Sequence, residues 1–269
     1  MNDVLARICD QRRADVAEAS STRPLSDLRR LAAGLPPVRS LSGRIGAIRA
    51  AGARAFIAEI KRASPSRGVI NADVDPADRA ARYAAAGVAG ISVLTEPHEF
   101  LGTDEDLRAA RLAAATVPIL RKDFTVDPWQ IWEARVLGAD AVLLLVNVLG
   151  EKVAEYLAVA AEAGVEALVE THDAAELDLA LRAGATLIGV NARNLRTFAT
   201  DLGIVESLIG RIPAGRIAVA ESGIRGRDDV DRLAEAGAGA FLVGETLMRE
   251  ADPGRLLHEW GAPGGRHDG

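Results

Sequence analysis

The chain has 269 residues, 49% of them hydrophobic and 26% charged, with a formal net charge of −6. That balance supplies one large core and a solvated surface, which excludes a disordered chain. The charge is spread without a basic block, so nucleic acid is a poor partner, and the uncharged stretch Ala141 to Gly150 is about half of what a bilayer span needs, which excludes a membrane helix there.

The opening residues, Met1-Asn2-Asp3 running into Arg12-Arg13, carry no apolar stretch before a small-residue cleavage site, so the chain is expected in the cytoplasm. Val4, Leu5, Ile8, Cys9, Arg12 and Val16 recur along one helical face. A second helix runs from Leu25 to Ala33, closed by Gly34 and stopped by Pro36-Pro37. Residues 1–50 therefore read as a helical extension, too small for a domain of its own. Cys9 is the single cysteine, which leaves no internal disulfide and no cysteine-based zinc site, and the four histidines lack metal-ligand spacing, so no metal is expected.

From residue 51 onward, short apolar runs follow a glycine that ends a helix, at Gly87, Gly138, Gly164, Gly184 and Gly237. The runs give eight strands: Ala55–Lys61, Ala89–Glu96, Val117–Phe124, Asp140–Val146, Glu166–His172, Leu187–Asn194, Arg216–Gly223 and Ala240–Thr246. Between them, Asp75-Pro76, Asp127-Pro128 and Asp252-Pro253 place a capping acceptor before a proline at the first helical position. Asp173 with Glu176 and Thr103 with Asp106 resemble capping boxes. Eight alternating β-α units with no hairpin signal predict a closed (β/α)8 TIM barrel over residues 51–262, in the α/β class, with an N-terminal helical extension and a frayed tail at 263–269. Aromatic residues are only 4% of the chain, which suits a barrel filled with branched aliphatics.

In such barrels chemistry sits at the C-terminal strand ends. Only Lys61, Lys122 and Lys152 are lysines, the other basic residues being arginine, and two of the three fall at strand ends. A lysine can lose its proton where a guanidinium cannot. Alternation puts Glu59 and Lys61 on one face and turns both, with Lys122, inward. Glu170, Asn191, Arg193, Glu221 and Ser222 end three further strands. Each such charge costs several kcal/mol to desolvate unless paired, so the set is poor evidence for stability and better evidence for a site. Glu96, ending the second run, is expected as an accessory or an ion-pair partner. Gly223 and Gly244 form turns after the last two strands, where barrels often bind phosphate through backbone N–H groups. Neither Gly237-Ala238-Gly239 nor Gly43-Arg44-Ile45-Gly46 has dinucleotide-fingerprint spacing, so no nicotinamide cofactor is implied. The loop from Arg62 to Gly68 is long enough to serve as a lid.

Seven ordered motifs carry a resemblance over essentially the whole chain: Glu59-Ile60-Lys61-Arg62-Ala63-Ser64-Pro65-Ser66, Val93-Leu94-Thr95-Glu96, Leu120-Arg121-Lys122-Asp123-Phe124, Leu168-Val169-Glu170, Gly189-Val190-Asn191-Ala192-Arg193-Asn194-Leu195, Ala220-Glu221-Ser222-Gly223-Ile224 and Leu242-Val243-Gly244-Glu245. The sequence resembles the indole-3-glycerol-phosphate synthase family of tryptophan biosynthesis. The resemblance implies a decarboxylating carbon-carbon lyase that closes the pyrrole ring of 1-(2-carboxyphenylamino)-1-deoxyribulose 5-phosphate, with no cofactor and with the N-terminal extension packed over the barrel mouth. It implies Lys122 as general acid, Glu170 as base, Glu59 with Lys61 in dehydration, and Asn191, Glu221 and Ser222 as orienting groups. Phe124 would pack on the aromatic ring, while Ser64, Arg193, Gly223, Gly244 and Glu245 would serve carboxylate and phosphate binding. A carboxylate beside a phosphate is repelled, so Glu245 is expected to turn to solvent or to Arg249, one helical turn on. The expected partner is the phosphorylated small-molecule substrate, and the chain is read as a monomer rather than an oligomer. Three other readings stay open on the residues themselves: a phosphosugar isomerase, a Schiff-base aldolase using Lys61 or Lys122, and a non-catalytic partner subunit.

Overall fold

The computed structural model describes residues 4–193 and 200–263. Its strands are β1 (Phe56–Ile60), β2 (Ala63–Ser64), β3 (Gly68–Val69), β4 (Gly90–Leu94), β5 (Ile119–Lys122), β6 (Ala141–Leu145), β7 (Glu166–Thr171), β8 (Leu187–Asn191), β9 (Ile217–Glu221) and β10 (Ala240–Val243). The eight long strands pair in parallel in the order β1-β10-β9-β8-β7-β6-β5-β4 and close into a barrel. The seam is formed by Phe56 beside Phe241 and Ala58 beside Val243. This is the (β/α)8 architecture expected from the alternation of apolar runs.

The helices are α1 (Val4–Thr22), α2 (Leu25–Ala33), α3 (Leu41–Ala50), α4 (Pro76–Ala85), α5 (Asp104–Ala113), α6 (Trp129–Leu137), α7 (Val146–Leu149), α8 (Val153–Ala163), α9 (Ala174–Arg182), α10 (Leu202–Ile209), α11 (Arg227–Glu235), α12 (Glu245–Arg249) and α13 (Pro253–Glu259). No helix among the described residues is long and apolar enough to cross a membrane. The five glycines that precede strands all take left-handed φ, between 72° at Gly164 and 108° at Gly237, so each stops its helix and turns the chain into the barrel wall. Asp75, Asp173 and Asp252 cap their helices through side-chain oxygens. Asp127 likewise accepts from the Trp129 N–H at 2.8 Å, but α6 begins at Trp129, one residue later than the sequence predicts, with Pro128 in helical angles ahead of it. Thr103 caps α5, but Asp106 does not reach back; it pairs with Arg62 instead.

Several strands are shorter than predicted because polar ends of the runs bend into loops. The last differs in kind: Glu245 and Thr246 are not strand but open α12. The predicted run to Asn194 stops at Asn191, and Asn194 and Leu195 lie outside the described residues, as does the tail beyond residue 263. The expected lid after β1 contains an antiparallel two-stranded hairpin, with Ala63 opposite Val69 and Ser64 opposite Gly68, which the sequence pattern did not signal.

Two apolar layers hold the barrel. The outer one packs helices on the strands. The inner one contains Ile57, Leu120, Leu143, Leu168, Leu187, Val219 and Leu242, together with Leu41 and Ile45 from α3. Leu41 and Ile45 are fully buried and plug the N-terminal end of the barrel. Glu166, at the start of β7, accepts from Ser40 Oγ at 2.6 Å and the Ser42 N–H at 2.8 Å, and Asp140 accepts from the Arg39 N–H at 2.9 Å, which fixes α3 there. At the opposite end, α1 lies against the segments that follow β4 and β5. Arg12 grips buried Asp123 with two hydrogen bonds of 3.0 and 2.8 Å, and Asp15 meets His98 at 3.0 Å.

Candidate active site

At the C-terminal strand ends a cavity of about 540 Å³ opens. The same strand geometry that buries leucines below turns Glu59, Lys61, Lys122, Glu170, Asn191 and Glu221 into it from five different strands or their ends. Phe124, Arg193, Ser222, Gly223, Gly244 and Glu245 also line it. Ser64 is the exception among the predicted residues. The hairpin buries it to 3% exposure outside the cavity lining, and its hydroxyl has no hydrogen-bond partner.

Lys122 is the hub. Its Nζ donates to Glu170 Oε2 at 2.8 Å and to Glu221 Oε2 at 2.6 Å. Burial alone disfavours its charge, but Glu170, Glu221 and Glu59 outweigh burial and hold the ammonium above the usual lysine range. The two carboxylates on this single cation diverge. Glu170 also faces burial, yet Lys122 and His172 draw it well below the usual carboxylate range; Glu221 is pushed up, first by burial and then by the neighbouring Glu170. One group is therefore held ionised beside a second that retains a proton more readily, an arrangement suited to moving protons.

Glu170 is also oriented by Asn191, whose Nδ2 donates to Oε1 at 2.9 Å. Glu59 pairs with Lys61, two residues on at the same end of β1. Gly244 makes room for that pair: a Cβ there would meet the Glu59 carboxylate and come within 3.1 Å of Lys61 Nζ. Gly189 does the same for Glu221. Ser222 and Gly223 take successive left-handed conformations, φ 64° and 77°, and Ser222 does so as a non-glycine, a strained turn of the kind found at ligand-holding sites.

Four arginines edge the cavity: Arg67, Arg193, Arg225 and Arg249. Glu245 turns to them rather than to solvent, 3.2 Å from Arg67, 3.3 Å from Arg249 and 3.9 Å from Arg193. Arg193 also donates to Ser66 Oγ at 3.3 Å. On the apolar side Phe124 lies 6.0 Å from Phe100 between ring centroids. Glu96 is not part of this set, and among the described residues it has no ion-pair partner: fully buried, it accepts the N–H groups of His98, Glu99 and Phe100 at 2.8 to 2.9 Å and so shapes the loop that presents Phe100. Sequence reasoning missed Phe100, Arg67 and Arg225, which stand in loops without a periodic signal. It also missed His172, for which a signal existed: two residues beyond Glu170, alternation puts it on the same face.

The fold and this mouth define an enzyme of the (β/α)8-barrel class, with lysine and glutamate side chains gathered in its cavity. A family model described as indole-3-glycerol phosphate synthase matches residues 5–260. Among similar proteins, indole-3-glycerol phosphate synthase of Laribacter hongkongensis is 49% identical over 259 residues, covering 96% of this chain and 98% of that protein. The one from Aromatoleum aromaticum is 49% identical over 258 residues, with the same coverage. The chain belongs to the indole-3-glycerol phosphate synthase family. Likeness to solved structures shows the fold alone: thiamine phosphate pyrophosphorylase from Pyrococcus furiosus has a TM-score of 0.57 at 15% identity, covering 77% of this chain and 93% of that one. N-acetylmannosamine-6-phosphate 2-epimerase from Clostridium perfringens gives 0.56 at 12% identity, covering 72% and 86%.

Proposed function

We propose that this protein closes the pyrrole ring of 1-(2-carboxyphenylamino)-1-deoxyribulose 5-phosphate, releasing CO₂ and water and leaving indole glycerol phosphate. The observation that carries the reading is the Lys122 ammonium seated between Glu170 and Glu221 beside Phe124, in a chain of this family.

The aromatic carbon that bears the carboxylate attacks the ketose carbonyl carbon, and Lys122 protonates the carbonyl oxygen as that bond forms. The anilino nitrogen becomes an iminium, and the electrons of the breaking carbon-carboxylate bond flow into it as CO₂ leaves. The substrate thus supplies its own electron sink, and the reading invokes no metal or cofactor. Dehydration follows: the new hydroxyl departs as water with a proton from the Glu59–Lys61 pair, and Glu170 takes a proton to restore aromaticity. Counting from the substrate carboxylate, each turnover takes up one proton. A positioned acid beside an ionised base serves both halves of this sequence.

Phe124 and Phe100 provide the platform for the anthranilate ring. Arg193, with the backbone around Gly223, Gly244 and Glu245, receives the phosphate, and Asn191, Glu221 and Ser222 orient the catalytic groups and the sugar hydroxyls. The carboxylate-binding role implied for Ser64 has less support, since Ser64 is buried and does not line the cavity. We read the protein as a monomer and place it in the cytoplasm. The test is ultraviolet absorbance for indole formation on mixing the purified protein with the carboxyphenylamino substrate. Absence of an indole spectrum at micromolar protein would overturn the reading. Borohydride trapping of substrate on a lysine would favour an aldolase instead.

A further inference from the structure

His172 lies behind Glu170, outside the cavity lining, on the first residue after β7. Both of its ring nitrogens face carboxylates: Nδ1 is hydrogen-bonded to Glu176 Oε2 at 3.0 Å, and Nε2, buried and without hydrogen-bond geometry to any partner, lies 3.3 Å from Glu170 Oε1 as an ion pair. Glu176, in the first turn of α9, also accepts the His172 backbone N–H at 2.8 Å, which locks the ring in place. A neutral imidazole carries one N–H and no charge, and serves only one of two carboxylates; as the imidazolium the ring offers a hydrogen bond to Glu176 and its positive charge to both. The groups around it are few: Glu170 on its own strand, Glu176 on α9, and Asn147 of α7, whose amide is 3.4 Å from Nδ1. The groups facing Glu170 are Lys122 from β5, Asn191 from β8, Glu221 from β9 and His172 itself.

We infer that His172 is a positioning residue for Glu170: as an imidazolium braced by Glu176, it pins Glu170 Oε1 and keeps that carboxylate ionised while Lys122 is engaged on Oε2. Without it, Oε1 keeps only the Asn191 amide, and the carboxylate is free to rotate toward Lys122 and to take up a proton it should receive only from substrate. Burial opposes the imidazolium, but Glu170 and Glu176 outweigh burial and raise His172 to about 10, so the brace stays charged throughout the neutral range. The arrangement follows a general pattern, in which a histidine's far nitrogen is fixed by a second carboxylate so that its near nitrogen points correctly.

The inference rests on the proposed ring-closure activity. The experiment is steady-state kcat and KM against pH for the wild-type protein, His172→Ala, His172→Gln and Glu176→Gln, with folding checked by circular dichroism and thermal unfolding. His172→Ala is expected to lower kcat by about 10 to 100-fold, the usual loss for such a supporting partner, with KM within about threefold because the residue does not touch the cavity. The acid limb of the kcat profile should move up by about one pH unit, since removing a cation from a carboxylate raises its pKa by roughly 1 to 3 units. His172→Gln, a donor without charge, should show the same upward shift with a smaller loss of kcat. Glu176→Gln keeps the ring but weakens its charge and should shift the limb the same way by less. If His172→Ala fails to fold, Glu176→Gln decides alone. An unmoved acid limb, or a loss confined to KM, overturns the inference while wild-type turnover stands. Absence of wild-type turnover is instead a failure of the activity itself.

Discussion

Lys122 serves two carboxylates with one charge, and that ratio makes its replacement informative. Lys122→Met is expected to lower kcat by about 10² to 10⁴, the usual worth of a positioned general acid, as measured in the indole assay. It also leaves Glu170 and Glu221 buried without their cation, a loss of about 3–5 kcal/mol when both are ionised. Glu221 is already shifted upward, and a carboxyl with a raised folded pKa favours the folded state while protonated and loses that contribution as pH rises through the shifted value. The variant's thermal midpoint should therefore fall further behind that of the wild type as pH is raised from 6 to 8; a constant difference would mean that neither carboxylate depends on Lys122. Glu245 offers a contrasting case. At about 4 Å a carboxylate and a phosphate would repel by roughly 4 kcal/mol near a protein surface, and the side chain instead engages Arg67 and Arg249. Glu245→Ser is expected to leave KM within a few-fold; a large rise would show that the phosphate site depends on that carboxylate.

Elements differ in how much of them the sequence displays. Alternation within β1, β5, β7, β8 and β9 is a local property with a period of two, so Glu59, Lys122, Glu170, Asn191 and Glu221 could be assigned to one face before any fold was known. The glycine stops ahead of the strands are equally local. The β2–β3 hairpin is not: its strands are two residues each, and Ser64, paired with Gly68 in it, is buried outside the lining of the cavity that Glu59 and Lys61 enter. Arg67 and Arg225 escaped notice because loop paths depend on what the loop packs against. The turn from β10 into α12 was read as strand because Leu242-Val243 continues an apolar run, yet Gly244 ends it. Its φ of −119° suits any residue, so the requirement for glycine there is the space taken by Glu59 and Lys61. Gly244→Ala should fold normally and displace the Glu59 carboxylate, with a loss of about 10 to 100-fold in kcat/KM, since displacements near 1 Å cost on that order. Near-normal kinetics would show that the Glu59–Lys61 pair tolerates rearrangement.

The whole molecule separates its two ends by task. The end plugged by α3 carries apolar contacts and the carboxylates that anchor them, whereas the mouth carries the charges that face the cavity. Leu41→Ala, at the plugged end, is expected to cost about 2–5 kcal/mol through the void it leaves. For a domain of this size that is a fall of roughly 5–15 °C in Tm, with kcat unchanged at temperatures where the protein is folded. A proportionate loss of kcat would show that the plug and the mouth are coupled. The seam at β1 and β10 has a different consequence, one of timing. Glu59 and Lys61 leave the ribosome early, but the backbone at Gly244 against which they settle is made almost two hundred residues later, after every other strand. A nascent chain therefore holds most of its acids and bases before it has a finished site to hold them in. Catalytic competence arrives with the last strand, when the two edges of the sheet meet and the barrel loses its open side.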